Sequence, residues 1–164
     1  MTAARTPSQR GAANRRKGHQ AERDLAKWLR SNGFPHAERA VRTGFRTLDR
    51  VSADPGDITG TIGIVWSVKD VAVEHTAMWL DELDAMASDT DGATVGLLVH
   101  KRRGHASPER WWCWIRYESL IELAVGSTCT GCAEPFPIRM ELGHAVQVLR
   151  HAGYGDPIAR EAAS

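Results

Sequence analysis

The hydrophobic positions along the chain divide it into helical and extended segments. The first apolar stripe has the three- and four-residue spacing of an amphipathic helix: Ala21, Leu25, Trp28 and Leu29. Asn32-Gly33 provides an end signal, so the pattern predicts a helix over 17–32. Three later segments are interpreted as helices: 74–87, 117–124 and 142–152. Short or continuous apolar runs predict strands at 35–41, 57–59, 62–68, 93–100 and 111–115, of which 93–100 is expected to be central.

This order of elements predicts a mixed α/β fold with a small mixed central sheet flanked by helices. At 164 residues, the chain is expected to form one domain with a sizeable core. Residues 1–15 lack an apolar period and are predicted to be a flexible basic arm. Residues 16–155 form the predicted domain, divided into a core at 16–105 and a C-terminal extension at 106–155, and residues 156–164 form a tail.

The composition changes this picture little. Hydrophobic residues make up 42% and charged residues 25%, which is typical of globular proteins and excludes a wholly disordered chain, a collagen-like repeat and a coiled coil. No apolar run approaches the roughly 18 residues of a membrane span, and the N-terminus lacks the apolar region of a secretory signal. We therefore expect a cytoplasmic protein without a membrane partner. Three cysteines in a reducing compartment do not predict a disulfide framework.

Charge is distributed unevenly along the chain. Residues 1–50 carry 12 Lys and Arg against 4 Asp and Glu, whereas residues 51–164 carry 9 against 16. The net charge is therefore +8 in the first part and −7 in the second. A basic first third predicts a polyanionic partner. A solvated basic tail is the alternative interpretation.

The residues best suited to chemistry are Asp57, Ser67 and Lys69. Asp57 opens one predicted strand, and Lys69 ends the next. Ser67 and Lys69 are two positions apart and share a strand face, and Asp57 lies beside them if the two strands pair. A carboxylate holds a hard divalent cation, and a lysine orients water or offsets negative charge on phosphorus, which together suit metal-assisted hydrolysis. The alternative is a turn aspartate and a strand-end lysine without catalytic function.

A longer series of segments surrounds these residues. Arg-Lys-Gly at 16–18 precedes the helical Glu22, Gly-Phe at 33–34 is followed by arginines, and the series ends with Pro-Gly-Asp at 55–57 and Trp-Ser-Val-Lys at 66–69. In order and spacing, this series resembles the PD-(D/E)XK nuclease superfamily, and most of all the archaeal-type and phage Holliday junction resolvases. The resemblance covers about residues 15–72, which is less than half of the chain.

The resemblance implies a restriction-endonuclease-like core that cuts DNA, with four-way junctions as the expected substrate and a homodimer as the expected assembly. Glu22 and Asp57 match the metal-binding acids, the carbonyl of Val68 matches a backbone metal ligand, and Lys69 matches the catalytic lysine. The implied cofactor is Mg²⁺, with Mn²⁺ as a substitute. Five basic residues are expected to contact DNA phosphates: Arg15, Arg16, Lys17, Arg39 and Arg42.

Ser67 departs from the pattern, because the family has a metal-binding acid at this position. Three explanations stay open. Asp70 or Glu74 replaces the acid, although Asp70 is expected to face the other side of the strand. Alternatively, Ser67 holds a metal-bound water, or the chain is a catalytically inactive DNA-binding module of the same fold. A nuclease acting on other DNA structures is a further alternative to the resolvase.

The pair Cys129 and Cys132 forms a CxxC motif in a predicted loop. Such a pair is compatible with structural zinc if two further ligands, such as Cys113 and His144, complete a tetrahedral site. Ordinary thiols in a loop are the favoured interpretation.

Three tryptophans lie in one predicted strand. Trp112 and Trp114 share one face of it, and Trp111 lies on the other face with Cys113. Core packing is favoured over base stacking for these rings. The adjoining basic turn, 101–105, is interpreted either as a phosphate contact or as a solvated turn.

Overall fold

The computed structural model describes residues 7–41, 56–127 and 136–156. Helices and strands alternate along these residues, and a 3-10 turn precedes the fifth strand. In chain order the elements are α1 (Pro7–Arg30), β1 (Glu38–Arg39), β2 (Ile58–Thr59), β3 (Ile64–Lys69), α2 (Thr76–Ser88), β4 (Val95–His100), the 3-10 turn Pro108–Arg110, β5 (Trp112–Arg116), α3 (Tyr117–Val125), β6 (Pro137–Glu141) and α4 (Leu142–His151).

The main sheet is mixed, with the strand order β3-β4-β5-β6. β3 and β4 run parallel, and the other two pairs are antiparallel. The sheet lies between helices, so the predicted mixed α/β architecture is confirmed, and β4 is an interior strand as expected. In the parallel pair Lys69 lies opposite His100, so β3 and β4 end at the same edge of the sheet.

The segment before β3 pairs differently from the prediction. β2 pairs with β1 in a separate two-stranded antiparallel sheet, so β2 and β3 do not form a simple hairpin. The chain pairs with β3 just before β2, through an isolated parallel bridge between Gly56 and Trp66. This bridge positions the residue that follows it, Asp57.

The core lies on both faces of the main sheet, because alternate strand residues point to opposite sides. On one face the apolar residues of α1 and α4, with Leu123 of α3, pack over Trp66, Leu97 and Cys113. On the other face α2 packs over β3 and β4 through Trp79, Leu80 and Leu83. β5 and β6 are two of the four strands of the main sheet, so the described residues of 106–155 share one core with the described residues of 16–105.

The first helix is longer than predicted. α1 begins at Pro7 rather than near Lys17, so residues 7–15 are helical and not the flexible arm expected from the sequence. Proline suits the first turn of a helix, and the alanine, glutamine and arginine residues that follow favour helix. The apolar stripe marks only the part that packs on the sheet, which starts at Ala21.

The last strand, β6, was not predicted. The predicted loop at 126–137 overlaps its first residue, and residues 128–135 of that loop lie outside the described residues. Ile138 and Met140 pack toward the α1 side of the core, while Pro137 and Arg139 are exposed. A proline and two charged residues in five positions hide the alternation. Among the described helices none is both long and apolar enough to cross a membrane.

Candidate active site

Asp57 is held by two hydrogen bonds to the edge of β3 and by a third to the segment that follows β1. Its backbone N–H donates to the Trp66 carbonyl (2.8 Å), and its own carbonyl accepts from the N–H of Ala40 (2.9 Å). Its carboxylate oxygen Oδ2 accepts from the backbone N–H of Val68 (2.6 Å). The structure therefore places Asp57 beside the strand that carries Ser67 and Lys69.

Gly56 makes this close approach possible. Its φ is +82°, and a Cβ at this position would lie 2.5 Å from the Trp66 carbonyl oxygen. An L-residue with a side chain is strained at this φ and has no room here. The Gly-Asp pair in the sequence thus fixes the chain to β3 and directs the Asp57 carboxylate at Val68.

Ser67 and Lys69 lie on the face of β3 that is turned toward α2. Ser67 is 4% exposed. Lys69 Nζ lies 3.6 Å from Glu82 Oε2 and 5.6 Å from the centre of the Trp79 ring, both on α2. Glu82 is half-exposed, so the ion pair is solvated and contributes little to stability. The pair still keeps the Lys69 ammonium group beside α2.

Glu22 lies on α1, which packs on the opposite face of the sheet from α2. Its carboxylate accepts from Arg39 Nε of β1 (2.5 Å), and both side chains are partly buried. Sequence analysis assigned Glu22 to a metal and Arg39 to DNA, whereas the structure pairs them with each other. The pair joins α1 to the small sheet that carries Asp57.

The two acids proposed to replace the missing one lie on different sides of β3. Asp70 lies on the α1 side, as expected, where its carboxylate is 3.7 Å from Lys101 Nζ. Lys101 is also 3.9 Å from Asp24 of α1. Glu74 lies on the α2 side, with Oε1 3.2 Å from His100 Nδ1. Of the two acids, Glu74 is therefore the one on the same side of the sheet as Lys69.

His100 is a site residue that sequence analysis missed. It is 5% exposed and lies opposite Lys69 in the parallel pair. Its Nε2 is 2.9 Å from the Val71 carbonyl, which can only accept, so this nitrogen carries a hydrogen. The available signal was a histidine ending the predicted central strand, since neighbouring parallel strands end at the same edge. Lys69, Glu74, Glu82 and His100 form what we call the Lys69 cluster.

The described residues supply only part of a metal site. They contain no group of three or more His, Cys, Asp and Glu residues arranged to hold an ion. The oxygen chemistry of Asp57 suits a hard divalent cation, but Ser67 is neutral, and Glu22 is bound to Arg39. The fit to Mg²⁺ is therefore limited to Asp57 as a charged ligand at the edge of β3, with Ser67 as a buried neutral oxygen on the α2 face of that strand.

Three of the predicted phosphate contacts lie together on α1. Arg15, Arg16 and Lys17 are exposed on the part of the helix that precedes its buried stripe. Arg42 lies outside the described residues. The structure thus brings three of the five basic residues onto one helical segment.

The predicted zinc ligands Cys129 and Cys132 also lie outside the described residues. Cys113, suggested as a third ligand, is fully buried in the apolar core on β5. Burial raises the pKa of its thiol and disfavours the thiolate that zinc needs. His144 is exposed on α4. Cys113 therefore serves as a core residue.

The tryptophans of β5, with Trp111 directly before it, occupy both faces of the sheet, as predicted. Trp111 is fully buried on the α1 side with Cys113, and Trp114 is buried on the α2 side. Core packing is thus confirmed for these two rings. Trp112 is only partly buried.

Comparison with known proteins adds no relative. No protein-family model, no curated protein and no solved structure matches the chain. Functional inference consequently depends on the residues of this chain and their placement.

Proposed function

We propose that the protein is a metal-dependent DNA endonuclease with a restriction-endonuclease-like core, acting on branched DNA as a Holliday junction resolvase. The observation that carries the proposal is the position of Asp57, whose carboxylate is bonded at 2.6 Å to the N–H of Val68. Lys69, the next residue, carries the charge required opposite a phosphate. The motif order in the sequence and this placement support the same assignment.

The proposed reaction divides its tasks among residues of this chain. Asp57 would provide the charged ligand of the cation, and Lys69 would offset the negative charge that builds on the attacked phosphate. When bound, Mg²⁺ would supply Lewis-acid activation of the phosphodiester. Trp79 packs along Lys69, and Glu82 holds its ammonium group in one region. Both α2 residues therefore act as positioning residues for the lysine.

Binding of the polyanion would use α1. This helix is 24 residues long, which corresponds to about 36 Å. Arg15, Arg16 and Lys17 are exposed on its first part, and helical structure holds them as a fixed array. Such contacts give affinity that does not depend on sequence and that weakens with salt. They suit a protein that recognises DNA shape.

A second candidate function is a DNA-binding module without cleavage. Three observations favour it: Ser67 occupies the position of an acid, Glu22 is paired with Arg39, and the described residues contain no group of three potential metal ligands among His, Cys, Asp and Glu. This module would use the same basic surfaces and would bind DNA without a metal.

The test compares a labelled four-way junction with a linear duplex of the same sequence, in Mg²⁺, in Mn²⁺ and in EDTA. The variants are Asp57→Ala and Lys69→Ala. Their matched controls, Asp91→Ala and Lys27→Ala, remove the same charges at exposed positions that take no part in the proposed site. We expect paired, metal-dependent nicks in the junction, a loss of at least about 100-fold in both test variants, and normal activity in both controls.

Each other outcome selects an alternative. Equal cleavage of junction and duplex would retain the nuclease and reject the resolvase. Binding in EDTA without cleavage in either metal would reject the enzyme in favour of the binding module. Cleavage that survives Asp57→Ala would reject this site.

A further inference from the structure

Trp112 is in contact with two arginines from neighbouring segments. The guanidinium of Arg102 lies 4.2 Å from the centre of the Trp112 ring, and that of Arg139 lies 4.6 Å from it. Arg139 also lies 6.0 Å from the centre of the Trp114 ring. We call Arg102, Trp112 and Arg139 the Trp112 surface.

The Trp112 surface lies at the margin of the area that α2 covers. α2 packs over β3 and β4, and its core cluster reaches β5 at Trp114, with Trp112 packed against the edge of that cluster. Arg116 of β5 also pairs with Asp81 and Asp84 of α2. Trp112 is partly buried and Arg139 is exposed. At this margin, two guanidinium groups lie over the Trp112 ring.

The two arginines differ in their other partners. Arg102 lies 3.3 Å from Glu141, which is also 3.1 Å from Arg110. Arg139 has no ion pair with any described carboxylate and contacts the tryptophan rings instead. A guanidinium that lies against an aromatic ring keeps its in-plane N–H donors available for another ligand. The surface therefore holds excess positive charge with fixed donors.

This surface continues from the Lys69 cluster. Lys69 lies opposite His100, and His100 lies opposite Trp112, so the three side chains form one row across three strands. Neighbouring strands are about 4.8 Å apart, which puts the Trp112 strand about 10 Å from the Lys69 strand. Phosphates recur about every 3.4 Å of helix axis along each DNA strand, so a backbone that contacts Lys69 and runs along this row would reach Trp112 within about three nucleotides.

We propose that the Trp112 surface binds the phosphodiester backbone of DNA next to the bond placed at Lys69. Arg139 contacts a phosphate directly, and Trp112 fixes its guanidinium plane for two-pronged hydrogen bonding to phosphate oxygens. This inference rests on the proposed function, because it takes DNA as the polyanion. It adds a second binding surface, on β5 and β6, to the basic segment of α1.

A second copy of the chain is a less suitable occupant. Two such surfaces meeting across a two-fold axis would bring arginines of like charge together. The phosphodiester backbone is complementary in both charge and hydrogen bonding. Binding and sedimentation measurements distinguish DNA from a second copy of the chain.

The experiment measures binding of the full chain to the four-way junction and to duplex DNA in EDTA, where cleavage is blocked, over a range of salt concentrations. The test variants are Arg139→Gln, which removes charge and stacking, and Arg139→Lys, which keeps charge alone. Lys27→Gln is the control, since it removes one exposed charge from α1. We expect Arg139→Gln to weaken binding about three- to tenfold and to reduce the salt slope by about one.

Arg139→Lys should recover part of the lost affinity, and Lys27→Gln should stay within about twofold of the wild type. If the wild-type protein binds DNA, and Arg139→Gln and Lys27→Gln weaken that binding equally, the Trp112 surface is not a DNA-binding surface and the proposed function stands. A wild-type protein that binds no DNA would instead overturn the proposed function. A change of oligomeric state in Arg139→Gln, seen by sedimentation, would assign the surface to a second chain and overturn this proposal.

Discussion

At the scale of single residues, the carboxylate of Asp57 has a structural task as well as the proposed chemical one. It accepts a hydrogen bond from the backbone N–H of Val68 at 2.6 Å. β3 is an edge strand of the main sheet, and among the described residues only the Gly56 bridge pairs with its outer edge. A charged acceptor strengthens such a hydrogen bond. The same side chain can therefore be tested for structure and for activity separately.

We predict that Asp57→Ala lowers the free energy of unfolding by about 1 to 2 kcal/mol, because the Val68 N–H loses its acceptor. Asp57→Asn retains an oxygen acceptor and should lower it by about half as much or less, while cleavage is lost in both variants. Urea denaturation of the three proteins measures the difference. Equal stability of the two variants would show that the hydrogen bond does not support the fold.

Some side-chain contacts could be predicted from the sequence, and others could not. Alternation along a strand correctly placed Ser67 and Lys69 on one face. Asp57 was expected beside them through pairing of the two strands, whereas the structure brings it there through the Gly56–Trp66 bridge. By contrast, Glu22 pairs with Arg39, and Glu74 lies beside His100, because of how α1 docks and how two parallel strands align. Those alignments depend on distant parts of the chain, and no local period records them.

At the scale of elements, packing explains which predictions succeeded. The buried strands β3 and β4 were predicted within two residues, because continuous apolar runs are specific to strands buried on both faces. The start of α1 and the whole of β6 were missed. The first has helix-forming residues but little core to cover, and the second is an edge strand whose exposed positions include a proline and an arginine.

The contact between α2 and β4 gives a prediction that does not depend on function. A Cβ at Gly96 would lie 3.0 Å from Leu83 Cγ, which is too close for an undisturbed contact. Gly96→Ala should therefore lower the free energy of unfolding by about 1 kcal/mol, because Leu83 must shift. Combined with Leu83→Ala, which costs about 2 to 5 kcal/mol on its own, the glycine change should become neutral or stabilising.

Thermal or urea unfolding of the four proteins closes this double-mutant cycle. The expected interaction energy is about 1 kcal/mol in the favourable direction. If the two substitutions simply add, α2 is not seated on β4 at Gly96. Trp79 and Lys69 would then also lose their basis for lying together, since both depend on where α2 sits.

At the scale of the whole molecule, the two faces of the sheet are covered unequally. α1 and α4 cover one face, while α2 covers β3 and β4 on the other and reaches β5 at Trp114. The Trp112 surface lies at the margin of this cover and adjoins the Lys69 cluster. The basic charge of residues 1–50 thus has a counterpart on β5 and β6, within a second part of the chain that is acidic overall. The net negative charge of residues 51–164 gave no indication of these arginines.

The number of proposed sites per chain leads to the last prediction. One chain has one Asp57 and one Lys69 at the described site, whereas resolving a four-way junction requires two opposed cuts. The proposed two-fold symmetric dimer would supply two such sites, each cutting one strand.

Wild-type protein should therefore convert a cruciform-bearing supercoiled plasmid to linear DNA. Pre-mixing with a threefold excess of Asp57→Ala should shift the product to nicked circles, because most dimers with an active site then have only one. If the mixture yields linear DNA merely in proportion to the wild-type protein present, with no added nicked circles, both cuts come from one chain, and the dimer is not the unit that resolves the junction.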